Sequence, residues 1–427
     1  MRNVLLFSLL FLPLTFAQSQ RGLIDSELNL PKWLDLTAQS RWRAEGQHDI
    51  GFQPGNNQDF LLQRLRVGLG IKPTTWLQVY AEAQDARSPG IPNSTSSTRD
   101  TLDLRQAYVD IGKEDAWWDV KVGRQAIAFG SERVIGASDW TNPARVFDAV
   151  RLGIHHHNDR LDLFSSSVVN SNHDAWDHHT QGDVLHGAYA SLGSLIPNAK
   201  IEPYVLLRFS PRLAVAGASG HYNSVTYGMR AAGTIRKEWT YELEALGQGG
   251  SIGGQQVRAW GGEAQVRRLF PERLWKPSLI AEYNFASGDK QRGDGKVNTL
   301  DQLYPTNHSI YGIADIIGRR NMRNLRVGVW AQPEKWLTVK VEGHDLRLAS
   351  KNDALYAASG VVSVAAVPGG ASSAQVGEEL DLVGEVRVSR HYSIGAQTGH
   401  LFAGQFLQQN SPGSGRTFYA TFIDFRL

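Results

Sequence analysis

The 427-residue sequence contains no cysteine and only 3 methionines. Without thiols there is no disulfide scaffold, no thiolate metal site and no cysteine nucleophile. After residue 17 no apolar run approaches the roughly 20 residues that a membrane helix requires, and the mean hydropathy is −0.31. A helical membrane bundle is therefore excluded. Neither sign of charge prevails: 44 Lys+Arg face 42 Asp+Glu, so no basic field invites nucleic acid and no acidic tail is visible. Disorder is excluded too, because charged residues make up 20% and hydrophobic ones 41%. Helical spacing is nowhere sustained over three turns. What remains is a soluble globular protein or a transmembrane β-barrel, and 43 Gly, 12 Trp, 13 Tyr and 16 Phe favour β structure.

Arg2, the apolar stretch 4–14 and Thr15-Phe16-Ala17 before Gln18 have the charged start, apolar middle and small-residue end of a secretory signal. We expect residues 1–17 to be a signal peptide and 18–427 one exported domain, with no linker or composition shift to divide it.

Period-two alternation dominates the rest. Leu34, Leu36, Ala38, Ser40, Trp42 and Ala44 alternate with Asp35, Thr37, Gln39, Arg41, Arg43 and Glu45. A strand with one apolar and one charged face must put the second face in water. The pattern predicts strands at 34–45, 60–71, 76–85, 102–111, 117–125, 147–154, 160–169, 184–192 and 200–209. Nine more follow at 225–235, 239–248, 257–267, 278–287, 322–332, 337–348, 378–389, 392–403 and 417–427. About eighteen strands, each near the 9–11 residues that cross a bilayer at a tilt, describe an antiparallel transmembrane β-barrel. Short joints such as 72–75 and 236–238 alternate with long stretches at 88–99, 155–159, 287–320 and 350–377. Short turns on one side and long loops on the other fit that architecture.

Trp42, Trp76, Trp117, Trp118, Trp239, Trp330 and Trp336 lie at or near predicted strand ends, where amphipathic rings meet the membrane interface. A soluble β-sandwich would use the same aromatics as core. The C-terminus favours the barrel, because Tyr419, Thr421, Ile423, Phe425 and Leu427 share one face of a final aromatic-rich strand. Such an ending resembles the signal by which barrels are recognised for insertion, with leucine in place of the usual terminal phenylalanine.

Closing eighteen strands leaves room for an aqueous channel. The inward faces offer Arg41, Arg43, Arg64 and Arg66 in the first two strands, then Lys121, Arg208, Arg230, Arg267, Arg326, Lys340 and Arg387. Acids slightly outnumber these bases. The segment after residue 120 departs from alternation yet is rich in Arg, Gly and aromatics, and includes Arg124, Arg133, Asp139, Trp140, Asn142, Arg145, Asp148 and Arg151. A loop packed within a pore would have that composition. Guanidinium forks suit carboxylates or phosphates, but the same arginines could equally satisfy the lumenal acids.

Several stretches resemble one family. They are Leu104-Arg105-Gln106-Ala107-Tyr108-Val109-Asp110, Val122-Gly123-Arg124-Gln125, Gly136-Ala137-Ser138-Asp139-Trp140-Thr141-Asn142 and Phe147-Asp148-Ala149-Val150-Arg151. Tyr283-Asn284-Phe285-Ala286-Ser287-Gly288-Asp289, Leu303-Tyr304-Pro305-Thr306-Asn307-His308 and Gly377-Glu378-Glu379-Leu380-Asp381-Leu382 continue the likeness in order. The chain resembles the alginate export porins of the bacterial outer membrane. The resemblance implies an eighteen-stranded barrel passing a polyanionic uronate polymer through an arginine-rich constriction. It implies Arg105, Arg124 and Arg151 near that constriction, Arg43 and Arg66 lining it, and Asp110 and Asp148 holding the arginines in place.

Other constellations are weaker. His155-His156-His157 and His178-His179 read as solvated loop histidines rather than metal ligands. Asp289, Asp294 and Asp301 lack regular calcium-ligand spacing. No G-x-S-x-G elbow, Walker loop or H-E-x-x-H occurs in the mature chain. We therefore expect no enzyme, no cofactor and no bound metal. The expected partners are a polyanionic polysaccharide or small solute, outer-membrane lipid and the barrel-insertion machinery, with the chain a monomer. Two alternatives stand beside the polysaccharide channel: a porin of the same fold for small anionic or neutral solutes, and a secreted soluble β-protein acting on polysaccharide.

Overall fold

The computed structural model describes residues 30–91, 94–112, 116–173 and 175–427; the expected signal peptide lies outside the described residues. Eighteen strands form the wall. They are β1 Leu34–His48, β2 Gln58–Thr74, β3 Leu77–Arg87, β4 Asp100–Ile111, β5 Trp118–Gln125, β6 Phe147–His156, β7 Asp159–Asn170, β8 Val184–Leu192 and β9 Ala199–Val215. The second half comprises β10 Ala218–Ile235, β11 Trp239–Ile252, β12 Gln255–Leu269, β13 Ser278–Ala286, β14 Met322–Glu334, β15 Leu337–Leu348, β16 Gln375–Arg387, β17 Tyr392–Ala403 and β18 Arg416–Arg426. Each of the eighteen predicted segments coincides with one of these strands.

Every strand pairs antiparallel with the next. The ring closes where β1 pairs β18, from Gln39↔Arg426 to His48↔Thr417. Closure leaves no unpaired edge, which is what a sheet in lipid requires. On β2 the outward Leu65, Val67, Leu69 and Ile71 are exposed, while Arg64 and Arg66 are buried. That arrangement is the reverse of a soluble sheet's and sets aside the reading as a soluble β-protein. Gly68, inward on β2, leaves room for Tyr80, whose hydroxyl lies where a Cβ would stand. Trp76, Trp117, Trp239 and Trp336 are exposed at the short-turn rim, as an interfacial belt should be. Trp330 is different. It shares the inward parity of Asn324 and Arg326, and its indole N–H donates to Glu342.

Both chain ends of the barrel lie on the short-turn side. The stretch 155–159, expected as a long loop, is a tight turn on that side, since β6 runs to His156 and β7 begins at Asp159. His155 meets the carboxylate of Asp119 there. The long connections 126–146, 287–321 and 349–374 emerge on the opposite side and fold back. Ile127, Ile135, Leu300, Leu303, Tyr304, Tyr311, Ile313, Ile316, Ile317 and Leu355 join one buried apolar cluster with wall residues such as Phe147, Leu206 and Phe418. Hydrophobic burial inside the barrel is thus supplied by loops.

Candidate functional site

The segment 126–146 is a loop folded into the lumen. Phe129 stacks on Tyr189 with ring centroids 4.4 Å apart, and Tyr189 stacks in turn on Tyr204. Gly130 turns the chain with φ 55°, where a side chain would press 2.9 Å from both Arg230 Cδ and the Tyr189 hydroxyl. A backbone ladder then joins this loop to 287–321: Tyr304 N–H donates to Val134 O (3.0 Å), Gly136 N–H to Tyr304 O (2.8 Å) and Thr306 N–H to Glu132 O (2.8 Å). Two loops without periodicity become one plug.

The wall of β1 and β2 clasps residues 139–143. Arg41 donates to Asp139 O (2.9 Å), Trp140 O (3.1 Å) and Thr141 O (3.2 Å). Arg43 donates to Trp140 O (2.6 Å) and lies over the Trp140 ring at 3.9 Å. Arg64 donates to the same backbone and to Asp139 Oδ2 (3.1 Å), and Arg66 to Asp139 Oδ1 (2.9 Å) and Pro143 O (3.1 Å). Burial by itself would raise the Asp139 carboxyl, but Arg64, Arg66 and Arg41 outweigh it and hold the group well below the usual carboxylate range. Among the described residues Arg145 hydrogen-bonds carbonyls alone, Gly136 O, Tyr304 O and Pro305 O, and burial lowers it to about 10.

Across the lumen the glutamates of β11–β13 meet loop arginines, and Arg208 of β9 meets a loop acid. Arg133 of the loop meets Glu263, Glu282 Oε1 (2.9 Å) and Asn284 Oδ1 (3.0 Å). Arg319 donates to Glu244 Oε2 (2.6 Å), and Arg208 and Arg320 both reach Asp301, at 2.8 and 2.7 Å. Asp301 is thus committed to arginines, apart from Asp289 beside Asp353. Basic strands grip an acid and carbonyls of the loop, and acidic strands grip loop arginines. Such charge-assisted bonds, shielded from water, fix the plug in one register.

Of the five arginines singled out by resemblance, Arg43, Arg66, Arg105 and Arg151 fall on one side of the lumen, whereas Arg124 and its cross-strand partner Asp148 share the outward parity of the exposed Val122 and Val150. Arg43 and Arg66 are buried beneath the clasped loop. Arg105 donates to Glu82 (2.5 Å) and is buried with it. Arg124 bridges Asp148 (2.9 Å), Leu104 O (3.2 Å) and Asp177 O (3.0 Å), and Arg151 donates to Asp162 (2.7 Å). Both keep 15% of the side chain exposed, against 2% for Arg43. Of the two supporting acids, Asp148 meets Arg124 and also His179 (2.9 Å). Asp110 meets Lys121 (3.2 Å) and none of the five. Sequence reasoning did not identify the clasp of Asp139 or the Glu263–Glu282 pair around Arg133. Inward parity was the available signal; their partners are too distant in sequence for spacing to reveal them.

A family model described as alginate export matches residues 32–420. The chain belongs to the alginate export family. This family member is a protein of the bacterial outer membrane, where an apolar outward belt and a polar lumen find their solvents. Its barrel is similar to solved structures of OpdO from Pseudomonas aeruginosa (TM-score 0.62, 12% identity, covering 94% of this chain and 99% of that one). OccK9 from the same organism (TM-score 0.64, 11%, 92% and 98%) and OccAB2 from Acinetobacter baumannii (TM-score 0.63, 10%, 92% and 98%) share the fold as well. No curated protein sequence matches the chain significantly.

Proposed function

We propose that this outer-membrane channel passes an anionic polysaccharide of the alginate class outward in single file. Membership in the export family over residues 32–420 carries the reading. The wall supports it chemically. Arg151 on the inward face already holds a carboxylate, so a uronate can replace Asp162 with little net change in free energy. Exchange between equivalent partners gives weak, repeated contacts, which transport needs more than one tight site. Arg105 extends this row, while Arg43 and Arg66 set its border by holding the loop.

A second reading, a porin for small anionic or neutral solutes, draws on a specific observation: every one of the five arginines has a carboxylate or carbonyl partner, and the loops fill the lumen. Planar-bilayer conductance separates the two. The first reading expects anion selectivity and block by added polyuronate, with Arg105→Gln and Arg151→Gln each weakening the block. Permeation of small carboxylates without any polyuronate block would overturn it in favour of the second.

A further inference from the structure

On β15 and β16 four ionisable side chains face the lumen as a square. Glu342 stands opposite Asp381, and His344 opposite Glu379. Three carboxyls crowd one imidazole on these neighbouring strands, like charges directly opposite in a sheet are destabilising, and Arg326 pairs with Glu342 of the four. Glu342, His344 and Asp381 are buried, and one ligand atom from each lies within 4.8 Å of the others. His344 Nε2 makes no hydrogen bond among the described residues. It points at Asp381 Oδ2 across 3.5 Å, with the two side chains 0% and 1% exposed.

That spacing suits an ion better than a hydrogen bond. Two donors each roughly 2.1 Å from a tetrahedral metal stand about 3.4 Å apart. The outer contact is also present. His344 Nδ1 lies 3.1 Å from the Asn324 amide, whose Oδ1 has no hydrogen-bond partner among the described residues. Turning that amide over lets Oδ1 accept Nδ1–H, which frees the Nε2 lone pair for a metal. Ligating histidines hold their other ring nitrogen in this way.

We propose that Glu342, His344 and Asp381 bind one divalent transition ion of the zinc class. The imidazole nitrogen favours a borderline metal over calcium or magnesium, which take all-oxygen sets. Glu342 Oε1 already accepts from Arg326 and the Trp330 indole, so the other carboxylate oxygen is the ligand. Arg326 and Lys340 oppose the cation, and Glu379 beside Asp381 offsets them. The ion couples wall to plug. Ile313 N–H donates to Asp381 Oδ2 (3.1 Å) and Ala314 N–H to Glu379 Oε1 (2.8 Å), so the ligand set is continuous with the loop 287–321.

The test uses full-length protein in detergent, stripped with chelator, exposed to Zn²⁺ or Ca²⁺, dialysed and analysed for metal by mass spectrometry. Wild type should keep one zinc per chain and no calcium. His344→Gln and Asp381→Asn should lose it, and Asn324→Ala should bind about 10-fold more weakly through the outer contact. The double variant His156→Ala/His157→Ala should retain the ion. No zinc in wild type, equal zinc in His344→Gln, or loss only in the turn-histidine variant would each overturn the proposal. Because ligand variants can fail to insert, Co²⁺ is added to the turn-histidine variant, where the site is intact. A visible d–d band is expected there, and its absence also refutes the site.

Discussion

The clasp on Asp139 can be tested by removing one charge. Asp139→Asn keeps the shape of the side chain while deleting the anion that faces Arg64 at 3.1 Å and Arg66 at 2.9 Å. Breaking a buried pair from one side costs about 3–5 kcal/mol, and an exposed pair about 0–1. Asp139 is 15% exposed, and the arginine bonds to the carbonyls of 139–143 survive the change. The lower end, about 3 kcal/mol, is therefore expected, or roughly 150-fold in the ratio of docked to undocked loop. Amide hydrogen exchange in lipid nanodiscs reads that ratio directly. Protection of Thr141 and Arg145, whose N–H groups donate to Ser138 O and Ala137 O, should fall by about that factor. Amides of β9 and β10 should not change. Because the arginines hold the Asp139 carboxyl below the usual range, its contribution is present above the unfolded value and lost only as pH falls through the depressed one. Wild-type loop protection should thus stay level from neutral pH down to about 4. Unaltered exchange in Asp139→Asn, or loss of protection already near pH 5, would refute the clasp.

Other perturbations probe different links. Arg133→Met leaves Glu263 and Glu282 facing each other without their shared cation; the urea midpoint should drop by the equivalent of about 3–5 kcal/mol, and adding Glu263→Gln should restore part of it. Val327→Arg places a charge on an outward position that is 52% exposed to lipid, and should cost about 2–4 kcal/mol in vesicle-embedded unfolding. Burial, together with the charge of Asp103, raises Asp177 in the loop between β7 and β8 to about 6. A raised acid stabilises its folded loop at low pH and loses that contribution as pH rises through the raised value. Limited proteolysis of 171–183 should therefore slow as pH falls from 7 to 5, and Asp177→Asn should flatten the dependence.

Much of the wall was legible because lipid imposes a one-letter rule on every second residue. Leu325, Val327 and Val329 must be apolar, so Asn324, Arg326 and Trp330 are assigned inward by parity alone. Trp330 was nonetheless expected in the interfacial belt from its place near a strand end; parity was the better guide. Even 184–192 and 392–403, where small residues blur the alternation, are strands. The plug was legible only as a departure from period. Arg133 and Glu282 are 149 residues apart, and no local pattern announces such a pair.

The sequence by itself determined the class of solvent on each face, the strand count and the alternation of short turns with long loops, because those follow from nearest-neighbour geometry and water or lipid at each position. It also placed both signs of charge inside. Only the tertiary structure decided which charge meets which. Ring closure brings the arginines of β1 and β2 against Asp139 and the glutamates of β11–β13 against loop arginines, and that pairing depends on distances across a lumen that no spacing along the chain encodes.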